Sequence, residues 1–478
     1  MYRARQVRYE HSGRVRGLAS GGIGAMHRLA QHTGLVAAID RHVEVLKVHL
    51  PYHESDHVLG VAYNVLCGGT CLQDIERRRQ DEVYLDALGA QRIPDPTTAG
   101  DFCRRFDEAA IEALQMAINE TRVRVWRAQP AAFFDDAVID ADGTLAETTG
   151  QCKQGMDISY EGVWGYHPLM VSLANTQEPL YLVNRSGNRP SSEGAAGRFD
   201  QAAALCREAG FRRITFRGDT DFSQTEHLDR WDAAGVRFIF GYDARANLIR
   251  AAEALPARAW TRLDRPARDA GQPKRQRPAN VKAAVTVARG FKNLRLEAEA
   301  VAAFRYQPVA CAQAYRMVVV RKNISVEQGD HRLFDEIRYF FYLTNDRETA
   351  AADVVFLAND RCHQENLIEQ LQRLGATRMP VDTLLSNGAY MVMAALAWTL
   401  KAWFGLRLPQ TGRWAARYAA EKAAVLRMEF KAFVHAFILV PVQVVRTSRR
   451  IIFRLLAWNP WQAVFLRAFD QLRAPLRP

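Results

Sequence analysis

The stretch from Phe133 to Ala244 constrains the fold more than any other part of the chain. Three apolar, strand-like runs come first: "FFDDAVIDAD" (133–142), "GYHPLMVSLANTQ" (165–177) and "PLYLVNRSG" (179–187), separated by turn-forming residues. A helical run, "EGAAGRFDQAAALCREAG" (193–210), then leads to the strand "RRITFRGD" (212–219), a second helix, "SQTEHLDRWDAAG" (223–235), and the strand "VRFIFGYDA" (236–244). Strands joined by tight turns pair antiparallel, whereas strands joined through a helix run parallel. The order therefore predicts an α/β fold whose mixed sheet begins antiparallel, turns parallel and is flanked by helices.

Around this sheet the pattern changes twice. Residues 1–128 show apolar positions near a 3.6-residue period, as in "IGAMHRLAQHTGLVAAIDRHV" and "SDHVLGVAYNVLCGG", and read as an α-helical N-terminal domain. Within it, Asp95-Pro96 is a helix start, with Asp95 as cap and Pro96 in the first turn. After residue 245 the closing helix of the sheet is delayed by a basic loop and by "LRLEAEAVAAF" (294–304), "YRMVVVRKN" (315–323) and "RYFFYLTND" (338–346). We read 129–245 as the first part of the core and 246–350 as a β-rich insertion. The second part is 351–405, beginning with one helix over 351–375, and 406–478 is a basic helical tail.

At 478 residues the chain exceeds a single ordinary core. The N-terminus, "MYRARQVRYEHSGRVRG", lacks the apolar core of a secretion signal, and none is expected. The apolar runs 389–404 and 435–445 are shorter than the roughly 20 residues that span a bilayer, and both read as buried helices. Seven scattered cysteines fit reduced thiols and a cytoplasmic setting. Net charge is +12, and residues 401–478 alone hold 14 Lys/Arg against 3 Asp/Glu. A second basic run, "RPARDAGQPKRQRPANVK" (265–282), contains Lys274 and Arg275. Separated basic patches suit a long polyanion, because each phosphate neutralised releases counterions. A solubilising surface is the alternative.

The acidic residues are sharper. Asp140 and Asp142 lie two apart in the first strand and so share a face. Asp219 ends the strand after the first helix, and functional side chains of α/β sheets gather at such carboxyl ends. Carboxylates crowded together are costly alone, but a divalent cation neutralises them. Glu365 in "DRCHQENLIEQLQ", with Arg361 one turn before it, supplies a third.

These features resemble a known family. The strand order is that of the ribonuclease H fold, and "IDADGT", "GYHPL", "RSGN", "RGDTDF", the Arg-x3-Glu-Asn helix and "SNGAYMVMAALAWTL" occur in the order seen in bacterial insertion-sequence transposases of the DDE type with a β-rich insertion. The resemblance implies Asp142, Asp219 and Glu365 as catalytic residues and ligands of two Mg²⁺ ions, with Mn²⁺ able to substitute. Spacing leaves Asp140 and Asp142 both open as the ligand. The family pattern favours Asp142 and makes Asp140 a supporting or a solvated carboxylate. The helix signature Tyr-x2-Arg-x3-Glu-x6-Lys is met at Arg361 and Glu365, but Ala358 replaces the Tyr and Gln372 the Lys. The nearest basic residue, Arg373, stands about 100° further round the helix. The usual Ser-Gly after the second Asp is Thr220-Asp221.

The implied activity is cleavage at element ends and joining of the 3′-OH to target DNA by two-metal phosphoryl transfer. The implied partners are double-stranded DNA, bound in part by the helical 1–128 domain in a nucleoid-associated setting, and a second subunit in a synaptic homodimer. Arg413, Arg417, Arg446, Arg449, Arg450 and Arg454 would contact phosphates or support subunit pairing. Lys274 and Arg275 in the insertion would follow the DNA, and Trp260 would either stack on a displaced base or be a partly buried aromatic. The alternatives are a DNA-binding derivative without chemistry and a nuclease of the same fold that does not transpose.

Overall fold

The strand-like runs assemble into one nine-stranded mixed sheet. In this computed structural model residues 15–150, 152–265, 281–329, 331–447, 450–456 and 459–473 are described. Strands β1 (Asp136–Gly143), β2 (Leu169–Leu173) and β3 (Glu178–Val183) form an antiparallel meander. Strand β4 (Arg213–Gly218) pairs parallel to β1, and β5 (Arg237–Tyr242) parallel to β4. Their cores are fully buried on alternating apolar residues such as Ile139, Phe216 and Phe238.

The segment after 245 continues this sheet instead of building a separate one. Strands β6 (Thr261–Arg262), β7 (Lys292–Tyr306), β8 (Tyr315–Gln328) and β9 (His331–Thr344) complete the order β6-β7-β8-β9-β5-β4-β1-β2-β3. The join is short: Phe341–Thr344 of β9 pair with Ile239–Tyr242 of β5. The near halves of β7–β9 are buried through Val301, Val318, Val319 and Leu343, while Leu294, Leu333, Phe334 and Ile337 at their far ends stay exposed.

Helices α1 (Glu54–Leu66), α2 (Pro96–Cys103) and α3 (Glu108–Arg127) belong to the N-terminal region, and α4 (Ala195–Ala209) crosses from β3 to β4. The helix expected over 23–43 is two, Ile23–Thr33 and Leu35–His42, divided where Gly34 takes a left-handed φ of +79° that a side chain resists. Asp95 caps α2 as anticipated, accepting from the Thr98 backbone at 2.9 Å and its hydroxyl at 2.8 Å. Asp95→Ala is expected to cost about 1 kcal/mol in urea unfolding, the usual loss of an N-cap.

The single helix expected over 351–375 is broken into α5 (Ala351–Asn359) and α6 (Cys362–Arg373). Asn359 and Asp360 prefer cap over helix-interior conformations, and the break leaves Arg361 at the start of α6. Helix α7 (Leu384–Leu406) is longer than the apolar run suggests. Among the described residues it is the one helix long and apolar enough to cross a membrane, and its apolar window lies entirely inside the fold. It packs on α1, α3 and β3. At the centre of that packing Glu178 of β3, fully buried, accepts from Arg122 Nε (3.1 Å), Trp126 Nε1 (2.9 Å), Trp403 Nε1 (2.9 Å) and Thr176 Oγ1 (2.6 Å). One carboxylate thus fastens the sheet edge to both long helices.

The tail after α8 (Ala415–Arg427) corrects the all-helical expectation. Helix gives way at Pro441, which lacks an N–H and clashes with the preceding turn. Valine-rich Val442–Arg446 and Ile451–Leu455 then form a hairpin whose first strand also pairs with Arg16–Leu18.

Candidate active site

Asp142, Asp219 and Glu365 converge because three elements end at one place. Asp142 is near the end of β1, with its side chain 14% exposed, and its Oδ1 accepts from the Gly143 amide at 2.9 Å. Asp219 follows β4 and caps the single turn Thr220–Phe222, accepting from the Asp221 amide at 3.0 Å. That turn is tight enough that a Cβ on Gly218 would lie 2.5 Å from Cβ of Phe222. Glu365 is in the first turn of α6 and is mostly exposed. Gln364 beside it, buried, holds α6 to β2 by donating to the Met170 carbonyl at 3.2 Å and accepting from Ser172.

All three acids face the Arg361 guanidinium. Nη1 lies 2.9 Å from Asp142 Oδ2 and 3.9 Å from Asp219 Oδ2, and Nη2 lies 3.2 Å from Glu365 Oε1. Burial pushes Asp142 up to about 7; the attraction of Arg361 opposes this, and the like charges of Asp219 and Glu365 add to it. Burial also raises Asp219, with Asp221 contributing, again against Arg361. For Arg361 burial acts downward, but the pull of Asp142, Asp219 and Glu365 outweighs it and the guanidinium stays firmly charged.

Asp140 is neither solvated nor in this cluster. It is fully buried and takes a two-pronged ion pair from Arg217 of β4, Nε to Oδ1 at 2.7 Å and Nη2 to Oδ2 at 2.8 Å. Arg217 Nη1 also donates to the Leu357 carbonyl at 2.6 Å, so the pair ties β1, β4 and α5 together. Arg373 lies outside as well, 62% exposed and ion-paired with Glu369 on its own helix. Gln372, which stands where the family pattern has Lys, donates instead to Thr144 Oγ1 at 2.8 Å, just beyond β1.

A cleft of about 390 Å³ opens beside the acids, lined among others by Asp219, Tyr242, Tyr339, Tyr342, Arg361 and Glu365. Ala358 lines it too, and the Tyr342 hydroxyl, from β9, lies 3.4 Å from Asn359 Oδ1. The tyrosines are site residues that sequence reading missed; the aromatic run "RYFFY" is the signal that marks them. Trp260 is half-buried, with the Arg321 guanidinium 4.4 Å over its ring, so that face is occupied. Arg413 lies near Trp414, Arg417 pairs with Glu421 at 2.9 Å, and Arg446 pairs with Asp86. Arg450 and Arg454 are exposed on the C-terminal hairpin. Lys274, Arg275 and Arg449 lie outside the described residues.

With three acids from separated segments gathered at the strand ends, family membership becomes decisive. The sequence profile of the transposase DDE domain group 1 family matches residues 1–476. The chain belongs to this family. A piggyBac transposase in a synaptic complex with hairpin DNA is similar in structure to this DDE transposase at a TM-score of 0.37 and 8% identity, over 88% of this chain and 79% of that one. No curated protein matches the sequence.

Proposed function

We propose that the protein binds insertion-sequence ends, cleaves the DNA there and joins the freed 3′-OH to target DNA. The observation that carries this reading is the meeting of Asp142, Asp219 and Glu365 around a single cation, Arg361, in a member of a DDE family. A ribonuclease H-like core is supported by the run β3-β2-β1-β4-β5, three strands antiparallel and then two parallel.

The residues fit divalent metal. Every donor is a carboxylate oxygen, the type Mg²⁺ and Mn²⁺ prefer. The cluster already attracts a positive group, since all three carboxylates face the Arg361 guanidinium. Asp142, Asp219 and Glu365 would hold the ions. A pair of Mg²⁺ ions so bound would supply activation of a water or 3′-hydroxyl and stabilisation of the departing oxygen.

The chain's own side chains do the remainder. Arg361, set free from the acids, presents a planar donor fork to a DNA phosphate. Gln372 steadies Thr144 behind Asp142, and the Asp140–Arg217 pair keeps the ends of β1 and β4 in register. Tyr339 and Tyr342 give the cleft an apolar wall that limits water near the reacting phosphate. Arg413, Arg417, Arg446, Arg450 and Arg454 are proposed to bind duplex backbone or support a synaptic homodimer acting on cytoplasmic DNA.

The deciding experiment incubates the full chain with an element-end duplex, a target duplex and Mg²⁺. The expected products are a 3′-OH end and a joined strand, both lost with chelator and in Glu365→Gln protein. Cleavage that persists without metal or in the variant would overturn the assignment, and cutting without joining would leave a nuclease. Separately, the Arg450→Gln/Arg454→Gln double variant should flatten the slope of log affinity against log salt by about 2 in anisotropy titrations, one phosphate per arginine. An unchanged slope removes both residues from the DNA contact.

A further inference from the structure

A second set of ligating side chains stands in the N-terminal region. His49, His53 and Glu54 each bring a ligand atom to within 4.8 Å of the other two, a grouping that the three acids of the DDE site, spaced around a guanidinium, do not make among the described residues. His49 lies on the loop leading to α1 and His53 at its N-cap. Both imidazoles are exposed, and they stack with centroids 5.5 Å apart and planes 20° from parallel. Glu54, by contrast, is only 1% exposed. Its Oε1 accepts from the Leu46 amide at 3.1 Å, and its Oε2 lies 3.1 Å from His49 Nδ1.

This geometry is near that of a metal shell. Zinc held tetrahedrally at bonds of about 2.0–2.1 Å sets its ligand atoms roughly 3.3 Å apart. The His49–Glu54 pair already has that separation, and the exposed His53 ring brings a nitrogen to within 4.8 Å of both. The surroundings are acidic: Asp40 accepts from the Ser55 amide and hydroxyl at 2.9 and 3.0 Å, and Asp56 accepts from the His53 amide at 2.9 Å. The buried Glu54 carboxylate is held in place by the Leu46 amide on one oxygen and faces the exposed His49 ring with the other, so an ion entering there meets a fixed oxygen donor.

We propose that His49, His53 and Glu54 bind Zn²⁺ or a similar imidazole-preferring divalent ion, with water in the fourth position. The ion would staple the 43–53 loop to the first turn of α1. Two nitrogens and one oxygen select against Mg²⁺, so this site and the all-oxygen DDE cluster would take different metals from one solution.

The test uses the full, chelator-stripped chain with excess Mg²⁺ present. Zinc is titrated calorimetrically, and Co²⁺ reports a four-coordinate site by its intense visible absorption. Expected are one zinc per chain at a Kd in the micromolar range or tighter, and a tetrahedral Co²⁺ spectrum. His49→Gln and His53→Gln, both at exposed positions, should each weaken binding at least about tenfold with an unchanged circular dichroism spectrum, while Asp142→Asn leaves binding unaltered. Zinc binding weaker than about 100 μM, binding indifferent to both histidine variants, or loss of the signal in Asp142→Asn would each overturn the proposal.

Discussion

Replacing Asp142 with asparagine is expected to lower Mg²⁺-dependent end cleavage by at least about a thousandfold while making the metal-free protein more stable at alkaline pH. The first effect follows from removing one of the three oxygen donors proposed to hold the ions; a loss of about 4 kcal/mol in transition-state stabilisation corresponds to that factor. The second follows from proton linkage. Folding raises the Asp142 carboxyl from 3.8 to about 7, so between those values the folded chain holds more protons than the unfolded one. Stability contributed at this position therefore falls as pH rises through that window, and the full cost applies above it. Asparagine carries no such cost. The gain has a ceiling of about 4 kcal/mol, from 1.36 kcal/mol per unit of displacement. Melting curves in chelator should separate variant and wild type at about pH 8 and bring them together near pH 4. A gap that does not change with pH would mean that Asp142 is not the strained carboxyl.

Glu178→Ala is the largest expected loss of stability, about 3–5 kcal/mol in urea unfolding. The carboxylate is buried with Arg122, whose side chain is 1% exposed, so alanine strands a cation in the interior and leaves two indole N–H groups without their acceptor. The cost comes from breaking the pair and not from any large net gain in having it. The double variant Arg122→Met/Glu178→Leu, which removes both charges and keeps apolar volume, should recover at least half of the loss. A single variant within about 1 kcal/mol of wild type would show that water reaches the site or that the helices repack freely.

What could be read from sequence tracks the range of the interactions involved. Alternation along β1 to β5 is local, so the strand pattern and the ends carrying Asp142 and Asp219 stood out. The continuation of the sheet into β9 depends on a four-residue pairing with β5, and nothing near His331–Thr344 in sequence announces it. The buried Asp140–Arg217 pair was hidden for a similar reason: Arg217 reads as an outward charge in an alternating strand, and only its contact with a neighbouring strand turns it inward. Gln372 looked like a missing lysine, yet its amide finds Thr144 across 228 residues. In the tail, composition overrode a plainer signal, since Pro441 and the valines after it already argue against helix.

Arg361 has a consequence for how the protein responds to metal. Because the guanidinium is covalently carried to the acids, any incoming ion meets a rival that dilution cannot remove. On the proposed reading, apparent affinity for a divalent ion would be the intrinsic affinity scaled by the fraction of time the side chain swings away. DNA whose phosphates draw that same side chain outward would raise this fraction, so substrate and ion should each improve the other's hold, and the idle protein would keep its hydrolytic chemistry switched off.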